Sequence, residues 1–513
     1  MKQIRLFSGL FTVGFWTLAS RILGFLREIL LTAYIGPGPV MDAFVAAFRL
    51  PNMFRRFFAE GAFNAAFVPM FSKRLEGGEN AQGFAQDAFN LLAVSVLALV
   101  GLAMVFMPGL VWLTAEGFYG DDRFDLAVDY GYVVFPYIFF MSLAALFSGV
   151  LNATGRFAAA AAAPILLNIF ACIALIAGAI SGGEVIRWLI AVIPIAGVAQ
   201  LALVWVATER AGIRIRPGLP KLSPEMRNMV RIAVPAALAM GVTQVNLVVG
   251  QLVASKTEKA VSWLFAADRL YQLPLGVVGI AVGIVLLPDL SRRLRAGDKS
   301  GARDAFSRAG EFTLLLTIPS TVAFVLIPTQ LVSVLFERGQ FTPEDTAATA
   351  LAVAIYGIGL PAFMLQKLLQ PLYFAREDTR SPFHYAVFAM VVNAALAFGL
   401  YPLVGWFAPA IAASVAGWAM VGLLALGARK MGEEAQFDDR FKNRAWRIIA
   451  ASLGMGAVLY AAIELFGWAF ALEGWRYLAL LGLIIVAAVT YFLLGHLIGA
   501  FKLSEFRKAL RRS

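Results

Sequence analysis

FAAAAAAPILLNIFACIALIAGAIS, residues 157–181, runs for 25 residues without one Asp, Glu, Lys or Arg. A helix of that length rises far enough to cross the hydrocarbon core of a bilayer, about 30 Å thick. A helix on a soluble protein keeps a polar face, and this stretch has none. The same reading along the chain gives about fourteen such segments. The first seven fall near 6–35, 40–72, 87–113, 127–151, 157–181, 186–208 and 229–254. The others fall near 260–289, 306–335, 347–374, 382–403, 407–428, 446–470 and 475–500.

Composition leads to the same class. Of 513 residues 60% are hydrophobic and 15% charged, and the mean hydropathy is +0.77. That is more apolar surface than a soluble core can hide. The expectation is an all-α integral membrane protein. Residues 1–34 run straight into a long helix pattern that contains arginines, which predicts a permanent first span and no cleavable signal.

The two histidines, His384 and His496, stand far apart and outside any HExxH spacing, and the single cysteine, Cys172, lies in an apolar run. Zinc catalysis, a disulfide framework and a Cys/His dyad have no residues to work with. No metal site or cofactor is expected. Asp121, Asp122, Asp125 and Asp129 form the only acidic loop that could serve a membrane glycosyltransferase or phosphatase, and a solvated loop is the simpler reading.

The 43 Lys and Arg sit mostly in alternate loops and tails: Lys2, Lys73 and Arg74, residues 210–231, 292–308, 429–447 and 502–512. The intervening loops hold only Arg123, Arg187, Lys256, Lys259, Arg338 and Arg476. The positive-inside rule then places both termini in the cytoplasm. The net charge of +11 is a topology signal and gives no reason to expect nucleic acid as a partner. Arg123, Arg187 and Arg338 are expected to tolerate alanine.

The chain also repeats itself. Phe48-Arg49-Leu50 matches Asp268-Arg269-Leu270, and each is followed by a proline and a basic pair, Pro69 with Lys73-Arg74 and Pro288 with Arg292-Arg293. Pro108 pairs with Pro328, Pro136 with Pro361 and Asn168 with Asn393, at an offset of about 220 residues that implies a duplicated unit. Six helices per unit make the two copies parallel. The expected organisation is an N-lobe of residues 1–215, a C-lobe of 216–432, and two further helices with a basic tail in 433–513. Lobes of this kind place a substrate site near the membrane midplane and expose it to each side in turn.

Ionisable residues inside these spans are costly, about 2.5 to 3.5 kcal/mol each at mid-membrane. The first two segments nevertheless hold Arg21, Arg27, Glu28, Arg49, Arg55, Arg56 and Glu60, and the eighth holds Asp268 and Arg269. Arg21 and Arg27 differ by about 120° around a helix and about 9 Å along it, so they can line one broad face. Guanidinium groups suit two-pronged recognition of phosphate, which points to an anionic, phosphate-bearing substrate. Pro51 and Pro274 are expected to interrupt helices 2 and 8 near these charges, and Gly36-Pro37-Gly38-Pro39 to separate helices 1 and 2.

Ser20-Arg21-Ile22-Leu23-Gly24-Phe25-Leu26-Arg27-Glu28, Asp42-Ala43-Phe44, Leu50-Pro51-Asn52, Phe58-Ala59-Glu60-Gly61-Ala62-Phe63 and Phe67-Val68-Pro69 together resemble the MurJ (MviN) lipid II flippase family. Ala266-Ala267-Asp268-Arg269-Leu270 resembles its second signature. The resemblance implies a place in the multidrug/oligosaccharidyl-lipid/polysaccharide exporter superfamily. It implies a transporter of lipid II, the undecaprenyl-diphosphate-linked disaccharide pentapeptide, acting as a monomer in the bacterial inner membrane beside the peptidoglycan synthesis machinery. It assigns substrate binding to Arg21, Arg27, Arg55 and Arg269, with support from Glu28, Asp42, Arg49, Arg56, Glu60 and Asp268. Glu28 stands where the family often has Asp. Helix 7 offers Gln244 and Asn246 where some relatives carry a sodium-linked carboxylate, so a coupling ion, Na+ or H+, finds no support in the sequence. The alternative is another lipid-linked oligosaccharide or drug exporter of the same superfamily.

Overall fold

Proline and glycine punctuation divides this chain into helices, and the breaks explain most of its outline. The computed structural model describes residues 2–55, 62–281, 286–472 and 474–501, and among them every regular element is helical. Helices α1 (Lys2–Tyr34), α2 (Pro39–Arg55), α3 (Ala62–Glu76), α4 (Ala81–Val105) and α5 (Met107–Thr114) come first. Then follow α6 (Asp122–Val134), α7 (Tyr137–Ala153), α8 (Phe157–Ile180), α9 (Val185–Arg210) and α10 (Pro224–Ala254). The rest are α11 (Ala260–Ala281), α12 (Leu287–Arg295), α13 (Lys299–Leu326), α14 (Pro328–Phe336), α15 (Pro343–Phe374), α16 (Arg380–Val404), α17 (Ala408–Ala428), α18 (Asp439–Phe466) and α19 (Trp475–Leu497).

Each expected segment coincides with one of these helices or a consecutive pair. Among the described residues, nine helical stretches are by themselves long and apolar enough to cross a membrane. The protein is an all-α integral membrane protein.

The prolines act at different places from those expected. Helix α2 continues through Pro51 and α11 through Pro274. A membrane helix tolerates a proline's missing N–H where its surroundings accommodate it, and beside Pro51 the Asn52 side-chain amide adds a bond to the Phe48 carbonyl at 2.9 Å. Breaks occur instead at one duplicated pair, Pro108 and Pro328. Pro108 opens the short helix α5 and Pro328 the short helix α14, in the first turn where a proline lacks nothing it could have used. The α1/α2 break is as expected. Gly36 takes φ +70°, and a Cβ there would fall 2.6 Å from Gln340, whose N–H bonds the Ala33 carbonyl at 2.8 Å.

The described chain forms two compact units. Unit 1 comprises Met1–Ser262 with Arg338–Phe341, and unit 2 comprises Trp263–Glu337 with Thr342–Ser513. In unit 1, α8 packs on both α1 and α9, α2 on α6, and α10 on α3. In unit 2, α18 lies against α13 and α19. Ile448, Met455 and Leu459 fill that seam with Leu314, Leu315 and Tyr491, and the Tyr491 hydroxyl bonds the Leu315 carbonyl at 2.8 Å. Buried Glu311 of α13 ion-pairs Arg444 at 3.1 Å, Arg440 at 3.4 Å and its own neighbour Arg308. The final two helices are thus fixed to the preceding bundle by apolar packing and a buried carboxylate.

Candidate functional site

Helix α1 is apolar around Arg21, Arg27 and Glu28, and α8 covers part of it. Arg21 is exposed, Arg27 half-buried and Glu28 buried. Neighbours in sequence point about 100° apart on a helix, yet long side chains still meet: Arg27 Nη2 reaches Glu28 Oε1 at 2.5 Å. Its Nη1 donates to Asn168 Oδ1 at 3.0 Å. Asn168 turns its own Nδ2 to the Ser20 carbonyl of α1, also at 3.0 Å. One amide in the middle of a charge-free helix therefore holds Arg27 with its oxygen and α1 with its nitrogen. Sequence reasoning picked out Asn168 only as a repeat position. The signal available was a hydrogen-bonding side chain where every alternative is apolar.

Both terminal nitrogens of Arg27 are held by side chains, and its charge is balanced by Glu28. The pair can sit in a low-dielectric setting at less cost than a bare guanidinium. Any anion that takes both prongs of this fork must displace a carboxylate and an amide.

A second buried carboxylate, Asp42, stands in the first turn of α2 and is fully inaccessible. Its Oδ2 accepts from the Lys259 N–H at 2.8 Å, and Oδ1 accepts from the Ser262 N–H at 2.9 Å and the Ser262 hydroxyl. These are donors at the start of α11, so Asp42 caps that helix from across the fold. Arg123 Nη1 lies 3.5 Å away.

Arg123 differs from the expectation of a dispensable loop arginine. It is buried, chelates Asp121 with Nε and Nη2 at 2.9 and 2.6 Å, donates to the Gly117 carbonyl at 3.3 Å and lies 4.5 Å from the Phe118 ring centre. The loop it belongs to folds inward because Gly117 packs onto the Ser255–Lys256 backbone, where a Cβ would approach within 2.5 Å. The Gly117 N–H bonds Ser255 Oγ at 3.0 Å. Arg187, by contrast, is exposed and pairs with Glu184 one turn away. The four aspartates of the acidic loop are exposed.

Arg49 reaches the Leu247 carbonyl of α10 at 3.4 Å, and Arg55 is half-buried in the last turn of α2. Arg56 and Glu60 lie outside the described residues. In unit 2 the Arg269 guanidinium covers the Phe265 ring at 4.5 Å, and Asp268 accepts from Gln272 one turn on. Trp263 Nε1 donates to Asp345 Oδ1 at 2.9 Å, while the other oxygen of Asp345 closes the capping box of α15 with Thr342. Of the expected residues, then, Arg27 and Glu28 are directly bonded, and Asp42 belongs to a separate cluster.

The architecture is shared with transporters. An inward-facing multidrug resistance MATE family transporter of the MOP superfamily overlays with a TM-score of 0.64 over 80% of this chain and 94% of that one, at 12% identity. That likeness defines a fold class, the multi-pass helical bundle of these exporters. Within the class the chain belongs to the MurJ family, described as "Lipid II flippase MurJ", which it matches over residues 31–484. It is 43% identical to "Probable lipid II flippase MurJ" of Rhizobium tropici, covering 98% of this chain and 96% of that protein. It is 44% identical to the protein of the same description from Rhizobium meliloti, over 98% and 95%. A solved structure, "Lipid II flippase MurJ, inward closed conformation", overlays with a TM-score of 0.79 at 25% identity, over 94% of this chain and 98% of that one.

Proposed function

We propose that this chain is a flippase that carries lipid II, the undecaprenyl-diphosphate-linked disaccharide pentapeptide, from the inner to the outer leaflet of the bacterial cytoplasmic membrane. The observation that carries the reading is the full-length relationship to the MurJ flippases. Physical chemistry supports it. The ionised, sugar-bearing head cannot enter hydrocarbon without losing its hydration, and arginines on otherwise apolar helices offset that loss.

In this reading Arg27 exchanges Glu28 and Asn168 for the diphosphate, with Arg21 about one and two-thirds turns earlier as a second contact. Arg55 and Arg269 complete the set, while Glu28 and Asn168 return Arg27 to its resting position after release. The polyprenyl tail stays in lipid along α18 and α19, whose outward residues Trp446, Leu453, Tyr460 and Leu481 are exposed and apolar.

Two six-helix lobes, residues 1–215 and 216–432, alternate the exposure of the site, and both termini face the cytoplasm. The protein acts as a monomer, with no cofactor. An inside-negative potential favours outward passage of an anionic head by about 2.3 kcal/mol per charge per 100 mV, so the potential alone can drive export without a coupling ion.

The test is the leaflet in which the lipid-linked precursor resides after depletion of this protein. Precursor should accumulate where an external hydrolase cannot reach it. Unchanged external accessibility in depleted cells, with no other exporter present, would overturn the assignment.

A further inference from the structure

Between α9 and α10 the chain forms no regular element over residues 213–223, yet it is held along α4 by a ladder of side-chain amides. Gln82 Nε2 donates to the Arg214 carbonyl at 3.0 Å. Gln86 donates to the Arg216 carbonyl and accepts from the Arg216 N–H at 2.8 Å. Asn90 accepts from the Gly218 N–H at 2.9 Å and donates to the Leu219 carbonyl at 3.4 Å. The three amides recur every fourth residue of one helix, and the residues they first meet, 214, 216 and 218, recur every second residue of the connection, with the Leu219 carbonyl as an end contact.

The registers agree for a geometric reason. Four residues of helix advance about 6 Å and two residues of extended chain about 6.6 Å, so an amide on each turn meets each second peptide. Ile215 points into the fold and is fully buried, while Arg214 and Arg216 on either side are exposed. Beyond Leu219 the ladder stops. Lys221 and Leu222 are exposed, and Ser223 begins α10 by accepting the Met226 N–H at 3.3 Å.

We infer that residues 214–219 are a docked strap that moves as part of α4 throughout the transport cycle, leaving Pro220–Ser223 as the joint between the strap and α10. The rungs are neutral, so salt does not weaken them as it does ion pairs. Undocking would strand the buried amide of Asn90 and the Ile215 side chain, which is why the strap is a fixture rather than a latch. Prolines at 217, 220 and 224 restrict the chain on both sides of the joint, so rotation there is confined to a few bonds.

Hydrogen exchange of the full chain in lipid nanodiscs tests the docking, independently of any transport. Replacing both Gln86→Leu and Asn90→Leu should speed exchange at the Arg216 and Gly218 N–H groups by about tenfold or more, the factor that loss of one or two net hydrogen bonds carries. Exchange within α9 and α10 should not change. Equal exchange at those two groups in wild type and double variant would overturn the strap. A second arm tests its motion. In a Cys172→Ala background, Gln82→Cys and Arg214→Cys joined by a short bis-maleimide should leave precursor export undiminished. Loss of export on joining, or failure of the two thiols to join, would show that strap and α4 do not travel together.

Discussion

Two guanidinium–carboxylate pairs with a buried carboxylate stand among the described residues of unit 1, and they differ in what else their atoms touch. Arg27 and Glu28 are held beyond their own bond by a side chain, the amide of Asn168. Asp42 is held chiefly by backbone, the N–H groups of Lys259 and Ser262, while Arg123 is clamped by the Asp121 carboxylate with the Gly117 carbonyl beside it. A backbone partner cannot leave without moving a segment, whereas a side-chain partner can rotate to make room for a ligand. The same pair of charges is therefore exchangeable in the first setting and architectural in the second.

The sharpest way to break this contrast is to truncate each cation. Arg27→Ala should abolish precursor export while the protein remains inserted at normal abundance, since removing a charge from a span lowers its insertion cost. Arg27→Lys should recover part of the export, because it restores the charge without the planar fork. Export at wild-type rate by Arg27→Ala would leave this arginine a structural one. Arg123→Ala or Asp42→Ala should act through folding. Leaving one member of a buried pair uncompensated costs about 3 to 5 kcal/mol, read as a large fall in thermal stability and cellular abundance, with residual export in proportion to the protein that survives.

These outcomes also mark what could be read without a structure. The spans were legible because the bilayer writes directly into composition, as residues 157–181 do. Arg27 and Glu28 were legible as costly charges inside an apolar run. The role of Arg123 was not, because it sits beside Asp121 and Asp122 and reads as a surface loop until Gly117 is seen to press that loop onto Ser255 and Lys256. The helix breaks were misjudged for a related reason. A proline interrupts a helix only where its surroundings fail to accommodate the missing N–H, and that depends on packing partners that the local sequence does not name.

A finer test separates position from charge within the exchangeable pair. Asn168→Ala removes the bonds to Arg27 and to the Ser20 carbonyl but no charge. Losing hydrogen bonds of this kind costs about 1 to 3 kcal/mol, so export should be reduced but not abolished, unlike the complete loss expected for Arg27→Ala. Asn168→Asp should be worse than Asn168→Ala for export, because a second carboxylate beside Arg27 competes with the diphosphate. If Asn168→Ala matched Arg27→Ala in full, the amide itself would be a substrate contact.

The smallest expected effect sharpens the architectural side. Asp378, on the connection before α16, does for its own helix what Asp42 does for α11: it accepts the Arg380 and Ser381 N–H groups at 3.1 and 2.9 Å. The Ser381 hydroxyl and these two amides hold its carboxyl below the ordinary aspartate range. Its burial is slight, so Asp378→Ala should cost only about 1 kcal/mol, the usual loss for a helix cap, against the several expected at Asp42. The pH dependence has a definite sign. A carboxyl depressed in the folded state stabilises above its unfolded value, near 4, and that contribution is lost as pH falls through the lower folded value. Thermal melts of wild type and Asp378→Ala should therefore differ at pH 7 and converge in strong acid. A difference that persists unchanged below the folded value would mean that the side chain acts through packing rather than through its charge.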